Sequence, residues 1–181
     1  MANKTVFIDR DGTINANTGY IKTPDDFKIY KGVAEGIKIL NNMGYKVIII
    51  TNQSGIARGF FNEEMLEKIH EKMKKELSEK GATVDAIYFC PHHPDEKCNC
   101  RKPEPGMLQK AMKDFDVDVQ KSFIIGDRML DVEAGNKIGV KTVLVPENKK
   151  KVDIEMQESN ITPDIVCDDF YSGVEWIVKN L

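Results

Sequence analysis

Short runs of β-branched and aliphatic residues alternate with longer stretches in which apolar positions recur every three or four residues. That alternation predicts the elements of the chain. Thr5–Ile8 is a first strand. Val33, Ile37, Leu40 and Met43 follow at helical spacing, with Gly44 as a stop. Residues 46–50 (Lys-Val-Ile-Ile-Ile) read as a strand buried on both faces. Leu66, Ile69, Met73 and Leu77 line a second helix, which Asn62 would cap and whose positive end suits Glu63 and Glu64. His70 lies on this helix and reads as solvated. Residues 86–89 are a third strand, 105–114 a helix, 122–125 a strand, 130–138 a helix and 141–145 a strand. Residues 147–151 read as a polar turn or solvated loop, and 164–167 as a last, edge strand that holds Cys167 as a small buried hydrophobe. Phe170–Lys179 closes the chain as a helix, with Val174, Ile177 and Val178 turned inward.

This rhythm predicts an α/β fold, a doubly wound and mostly parallel sheet with helices on both faces. Ligands bind such sheets beyond the C-terminal ends of the strands, so polar residues there are the first candidates for chemistry. The length, 181 residues, fits one domain over 1–181, and only residues 90–105 break the rhythm. Lys and Arg number 26 against 29 Asp and Glu, a net charge of −3, which argues against wholesale binding to nucleic acid or an anionic membrane. No apolar run approaches the ~18 residues of a membrane span. The apolar stretch near the N-terminus is too short for a signal peptide, so a cytoplasmic protein is expected. Four cysteines in such a compartment read as metal ligands or buried thiols before disulfides.

Asp9 sits where the first strand ends, and Asp11 lies two residues on, before Gly12-Thr13. The period of the pleat lets both carboxylates face one side. Two close carboxylates repel unless a cation such as Mg²⁺ holds them, and an aspartate is also able to act as a covalent nucleophile beside a second that moves protons. The other reading is a solvated Asp-Arg-Asp-Gly turn. Three further strand ends favour chemistry: Thr51-Asn52-Gln53-Ser54-Gly55, Gly126-Asp127-Arg128 with Asp131 four residues after Asp127, and Lys102 after the irregular segment.

Phe7-Ile8-Asp9-Arg10-Asp11-Gly12-Thr13, Thr51-Asn52, Lys102 and Gly126-Asp127 with Asp131 resemble the four ordered signature motifs of the haloacid dehalogenase-like phosphohydrolases. The resemblance implies a Rossmann-like core and an aspartyl-phosphate mechanism. Asp9 would attack phosphorus, while Asp11 would protonate the leaving alcohol and then deprotonate water. Asp9, the Asp11 carbonyl and Asp127 would hold Mg²⁺. Thr51, Asn52 and Lys102 would stabilise the phosphoryl oxygens, and Asp131 would orient Lys102 or a water. A plain helix N-terminal charge is the alternative for Asp131.

Residues 90–100 gather three of the four cysteines and two of the three histidines. Three thiolates and one imidazole suit tetrahedral Zn²⁺ with no open position, hence a structural ion. Reduced, unligated thiols are the competing reading. The spacing C-x-H…C-x-C selects Cys90, His92, Cys98 and Cys100, leaving His93 to substrate or solvent. Zinc at Cys100 would fix the start of Arg101-Lys102 in a proline-rich loop with little apolar surface to order it.

This loop resembles two branches of the superfamily, the heptose bisphosphate 7-phosphatases and the histidinol-phosphate phosphatases. Gly12-Thr13-Ile14-Asn15, Gly19-Tyr20 and residues 51–59 resemble the first. The five residues between His92 and Cys98 resemble the second. The heptose resemblance implies removal of the 7-phosphate from a heptose 1,7-bisphosphate on the way to a surface-glycan or lipopolysaccharide precursor. It also implies substrate contacts from Asn17, Thr18, Gly19, Tyr20, Gln53, Ser54, Arg101 and Arg128. Arg58 is a further candidate for the second phosphate, or a surface charge. No insertion is long enough for a large cap domain. The partner expected is a small phosphorylated metabolite acted on by a monomer. A non-enzymatic zinc-loop module is the remaining alternative.

Overall fold

The inner strands are apolar at nearly every position because helices cover both of their faces. The computed structural model describes residues 2–180. Six strands, β1 (Thr5–Ile8), β2 (Lys46–Asn52), β3 (Ala86–Cys90), β4 (Phe123–Gly126), β5 (Lys141–Leu144) and β6 (Ile165–Val166), pair in parallel in the order β3-β2-β1-β4-β5-β6. Six α-helices alternate with them: α1 (Val33–Asn42), α2 (Glu63–Glu79), α3 (Gly106–Phe115), α4 (Met129–Ile138), α5 (Lys149–Glu158) and α6 (Phe170–Lys179). Val6, Ile8, Val47, Ile49 and Ile125 point to the side covered by α1, α2 and α6. Phe7, Ile48, Ile50 and Ile124 point to the side covered by α3 and α4. Among the described residues no helix is long and apolar enough to cross a membrane.

From β1 the chain winds outward through β2 and β3, then returns to β4 and winds the other way. The reversal leaves a crevice beyond the ends of β1 and β4, where diverging connections leave room for a ligand. Asp9 follows β1 and Asp127 follows β4, so both open into that crevice.

Three expectations need correction. Residues 149–151 are not loop but the first turn of α5, capped by the Asn148 side chain, which accepts from the Lys151 amide at 3.1 Å. Of the helix's residues only Val152 is buried, so its apolar periodicity is too thin to read. His70 is not solvated: it is 2% exposed, on the same inward stripe as Leu66, Ile69, Met73 and Leu77. Cys167 is half-buried against the core rather than fully enclosed. The Asn62 cap stands as expected, accepting from the Met65 amide at 2.9 Å.

Ile37 is fully buried where α1 packs on α6 and the sheet. Ile37→Ala leaves a cavity far from the crevice, and ~2–5 kcal/mol of stability should be lost in urea unfolding.

Candidate active site

The crevice collects acids faster than it collects counter-charges. Asp9 is held at the end of β1 by its main-chain N–H, which donates to Ile125 O at 2.9 Å. Carboxylate oxygens of Asp9, Asp127 and Asp131 lie within 4.8 Å of one another, all on buried residues. Lys102 is 2% exposed, and its Nζ donates to Asp9 Oδ1 at 2.6 Å, Asp131 Oδ1 at 2.6 Å and Ile50 O at 2.7 Å. Asp131 thus does both things open to it: it sits in the first turn of α4 and grips Lys102.

Three carboxylates against one ammonium leave an excess of two negative charges. The excess falls on Asp127, whose Oδ1 is buried without a partner. Burial, then the Asp9 and Asp131 charges, push the Asp127 pKa up to about 9. Burial also pushes Asp9 up to about 6, although Lys102 opposes it. Gly12 makes this crowding possible: at φ +91°, a Cβ there would lie 2.3 Å from Asp127 Oδ2. A hard divalent cation meets the demand of an unpartnered carboxylate oxygen beside two more carboxylates.

Asp11 has different surroundings. Arg10, fully buried, turns its fork onto it: Nη2 donates to Oδ2 at 2.8 Å and to Oδ1 at 2.9 Å, and Nε to Oδ1 at 3.1 Å. Asn15 and Gln53 add amide donors at 3.0 and 2.8 Å. Burial raises the Asp11 pKa, but the Arg10 guanidinium and these hydrogen bonds outweigh it and hold the carboxyl below its usual range. Gln53 also donates to Thr51 Oγ1 at 2.8 Å, which ties the end of β2 to the acid.

Asp9, Asp11, Thr51, Gln53 and Lys102 line a cleft of about 270 Å³ together with Asn17, Gly19, Tyr20, Ser54, Arg101 and Arg128. The Nη1 of Arg101 is buried without a partner. Thr18 and Arg58 are exposed and outside the cleft wall. Asn52 is on the cleft wall, and its side chain pairs with the main chain of Lys102: Oδ1 accepts from Lys102 N and Nδ2 donates to Lys102 O, each at 3.0 Å. Glu147 was not anticipated. It accepts from the Asn17 amide at 3.1 Å and from the Tyr30 hydroxyl, tying the loop after β1 to the loop after β5. A lone acid in a Lys-rich segment gives no such signal in the sequence.

Beside the cleft, the sulfurs of Cys90, Cys98 and Cys100 and a nitrogen of His92 lie within 4.8 Å of one another. His92 Nδ1 is 3.2 Å from the Cys100 sulfur and 3.4 Å from that of Cys90. Three thiols and one imidazole fit a soft, four-coordinate ion. His93 is outside the cluster and accepts from the Asp95 amide at 3.3 Å.

A HAD-hydrolase-like family model matches residues 99–172. The chain is 42% identical over 162 residues to D-glycero-beta-D-manno-heptose-1,7-bisphosphate 7-phosphatase of Haemophilus ducreyi, covering 86% of this chain and 89% of the relative. It is 39% identical over 182 residues to the protein of the same name from Helicobacter pylori, covering 97% of each. A crystal structure of D,D-heptose 1.7-bisphosphate phosphatase from B. bronchiseptica, complexed with magnesium and phosphate, superposes with a TM-score of 0.90. It covers 98% of this chain and 99% of the other, at 34% identity.

A thermal-melt series tests the charge excess. Asp9 at about 6 and Asp127 at about 9 both lie above the usual 3.8. The metal-free fold therefore keeps protons there that the unfolded chain sheds, and these groups make it lose stability as pH rises from about 4 to about 9. Mg²⁺ should raise Tm, and raise it more at pH 9 than at pH 6. A shift independent of pH would contradict this account.

Proposed function

The chain belongs to the haloacid dehalogenase-like phosphatases, with the heptose-1,7-bisphosphate 7-phosphatases as its relatives, and we propose that it removes the 7-phosphate of D-glycero-β-D-manno-heptose 1,7-bisphosphate through an aspartyl-phosphate. The observation that carries this is the Lys102 ammonium, 2.6 Å from both Asp9 and Asp131, beside the unpartnered Asp127 oxygen. That arrangement suits an anionic nucleophile meeting an anionic phosphoryl group.

Asp9, Asp127 and the Asp11 carbonyl would hold Mg²⁺, which when bound supplies positive charge to both the carboxylate and the phosphoryl oxygens. Asp9 attacks phosphorus while Lys102 and Thr51 donate to the equatorial oxygens, where charge gathers in the transition state. Asp11 gives its proton to the departing alcohol, then takes one from the water that cleaves the acyl phosphate. Arg10 holds Asp11 ionised in the empty cleft, as the second half-reaction needs. The charge of a bound phosphate opposes Arg10 and favours the protonated acid that the first half needs.

The sugar and its second phosphate would lie along the Asn17–Gly19–Tyr20 loop, Gln53, Ser54, Arg101 and Arg128, where the unpartnered guanidinium nitrogen of Arg101 offers a donor. Zn²⁺ on Cys90, His92, Cys98 and Cys100 would order the loop that delivers Arg101 and Lys102. In this reading residues 1–181 form one domain, a cytoplasmic monomer.

The test of substrate is kcat/KM for both anomers of the heptose bisphosphate and for histidinol phosphate, side by side. The β-heptose bisphosphate should win, and preference for histidinol phosphate would overturn the assignment. Asp9→Asn should abolish turnover, and Asp11→Asn should lower it by ~10²–10⁴-fold. Cys98→Ser should lower activity along with bound zinc, and full activity in the zinc-free protein would refute the role given to that loop.

A further inference from the structure

Arg10 is one of the largest fully buried side chains of the protein, and Asp11 and His70 share its guanidinium. Nη2 and Nε serve Asp11, while Nη1 lies 3.1 Å from His70 Nε2. An arginine cannot give up its proton, so it donates and the imidazole accepts. Burial and the Arg10 charge push the His70 pKa down to about 3, which keeps that lone pair free. The ring is fixed by its place on the inward stripe of α2 and by Phe89, whose centroid is 6.5 Å away.

We propose that His70 is a positioning residue for proton transfer, holding Arg10 so that its fork stays on Asp11. This rests on the reading of Asp11 as the proton donor. A neutral acceptor is the right partner for this task. A carboxylate at position 70 would compete for the guanidinium and turn its fork away from Asp11. An apolar residue would strand a buried N–H and free the guanidinium to turn toward another acceptor. The imidazole satisfies the far nitrogen and leaves Nε and Nη2 both on the acid, so the fork fixes the direction in which the Asp11 carboxyl points. The sequence carries a signal for it, since His70 is four residues after Leu66 and three before Met73, in an otherwise apolar stripe.

The test compares kcat/KM for an alkyl phosphate, whose departing oxygen needs a proton, with that for 4-nitrophenyl phosphate, whose phenolate leaves without one. Because kcat/KM reports the first half-reaction, it isolates donation by Asp11. His70→Leu should lose roughly tenfold or more on the alkyl ester and under about threefold on the nitrophenyl ester. His70→Gln, which keeps an acceptor, should recover most of the alkyl activity. Equal losses on both esters, or no rescue by His70→Gln, would overturn the proposal and leave His70 a packing residue. If His70→Leu fails to fold in a thermal melt, His70→Asn takes its place, keeping the amide but falling short of Arg10. Its loss must show the same split between esters. Asp11→Asn is run alongside. If Asp11→Asn does not split the two esters, the reading of Asp11 fails, and with it the premise of the test. If Asp11→Asn splits them and the His70 variants do not, only the proposal for His70 fails.

Discussion

The rest of the structure turns on an excess of buried negative charge at the point where the sheet reverses direction. Asp9 and Asp127 project from adjacent parallel strands into one crevice, joined there by Asp131 from α4. Among the described residues, Lys102 is the one cation that enters that group. Ionised carboxylates out of water are costly unless paired, so the metal-free site holds protons its groups would otherwise lose. The strain is local and has a purpose. Whatever binds there with positive charge gains the interaction that the protein withholds, and stabilises the fold by an amount set by its affinity and concentration. A sheet of continuous aliphatic strands, buried on both faces, is what keeps such a cluster in place.

Two residues apart in sequence, Asp9 and Asp11 occupy opposite electrostatic situations. Burial and neighbouring acids push Asp9 upward, while Arg10 holds Asp11 down. Pairs of acids driven apart in this way take different tasks in one reaction. The separation depends on the chain folding Arg10 back into the interior. Its carbonyl accepts from the amides of Thr13, Ile14 and Asn15, which closes a tight turn and leaves the guanidinium beneath the acid. The amide of Gln53 joins the two regimes, donating to both Asp11 and Thr51.

Strand identities were legible because a doubly covered sheet imposes unbroken apolar runs, as in residues 46–50. The acids and Lys102 were legible because their order along the chain matches their convergence at the strand ends. What the sequence hid has a common cause: side chains whose partners are distant and polar. Asn52 follows Thr51 in a strand end that offers donors to a ligand, yet its amide is spent on the main chain of Lys102, fifty residues on. Glu147 belongs to a charged stretch and binds across the sheet to Asn17, 130 residues away. The polarity of His70 suggests solvent, but its position on the helix points inward. The helix α5 is hard to see in the sequence because a surface helix with one buried residue leaves almost no periodic pattern.

The placement of Lys102 shows how these layers combine. Its ammonium sits in a charged cage, and its backbone is gripped on both sides by one amide of β2. Upstream, the cysteine loop runs against the start of α3, where the Gly106 amide donates to Asn99 O at 2.9 Å. A Cβ at Gly106 would come within 2.4 Å of that oxygen. The loop therefore has two anchors of different kinds, a soft-ligand cluster before Arg101 and a hydrogen-bonded clamp at Lys102. Losing the first leaves the second in place, so disorder would spread to Arg101 sooner than to Lys102. The grip on a second phosphate is thus more exposed to the state of the cysteines than the chemistry at Asp9, because the clamp from Asn52 belongs to the sheet and not to the loop.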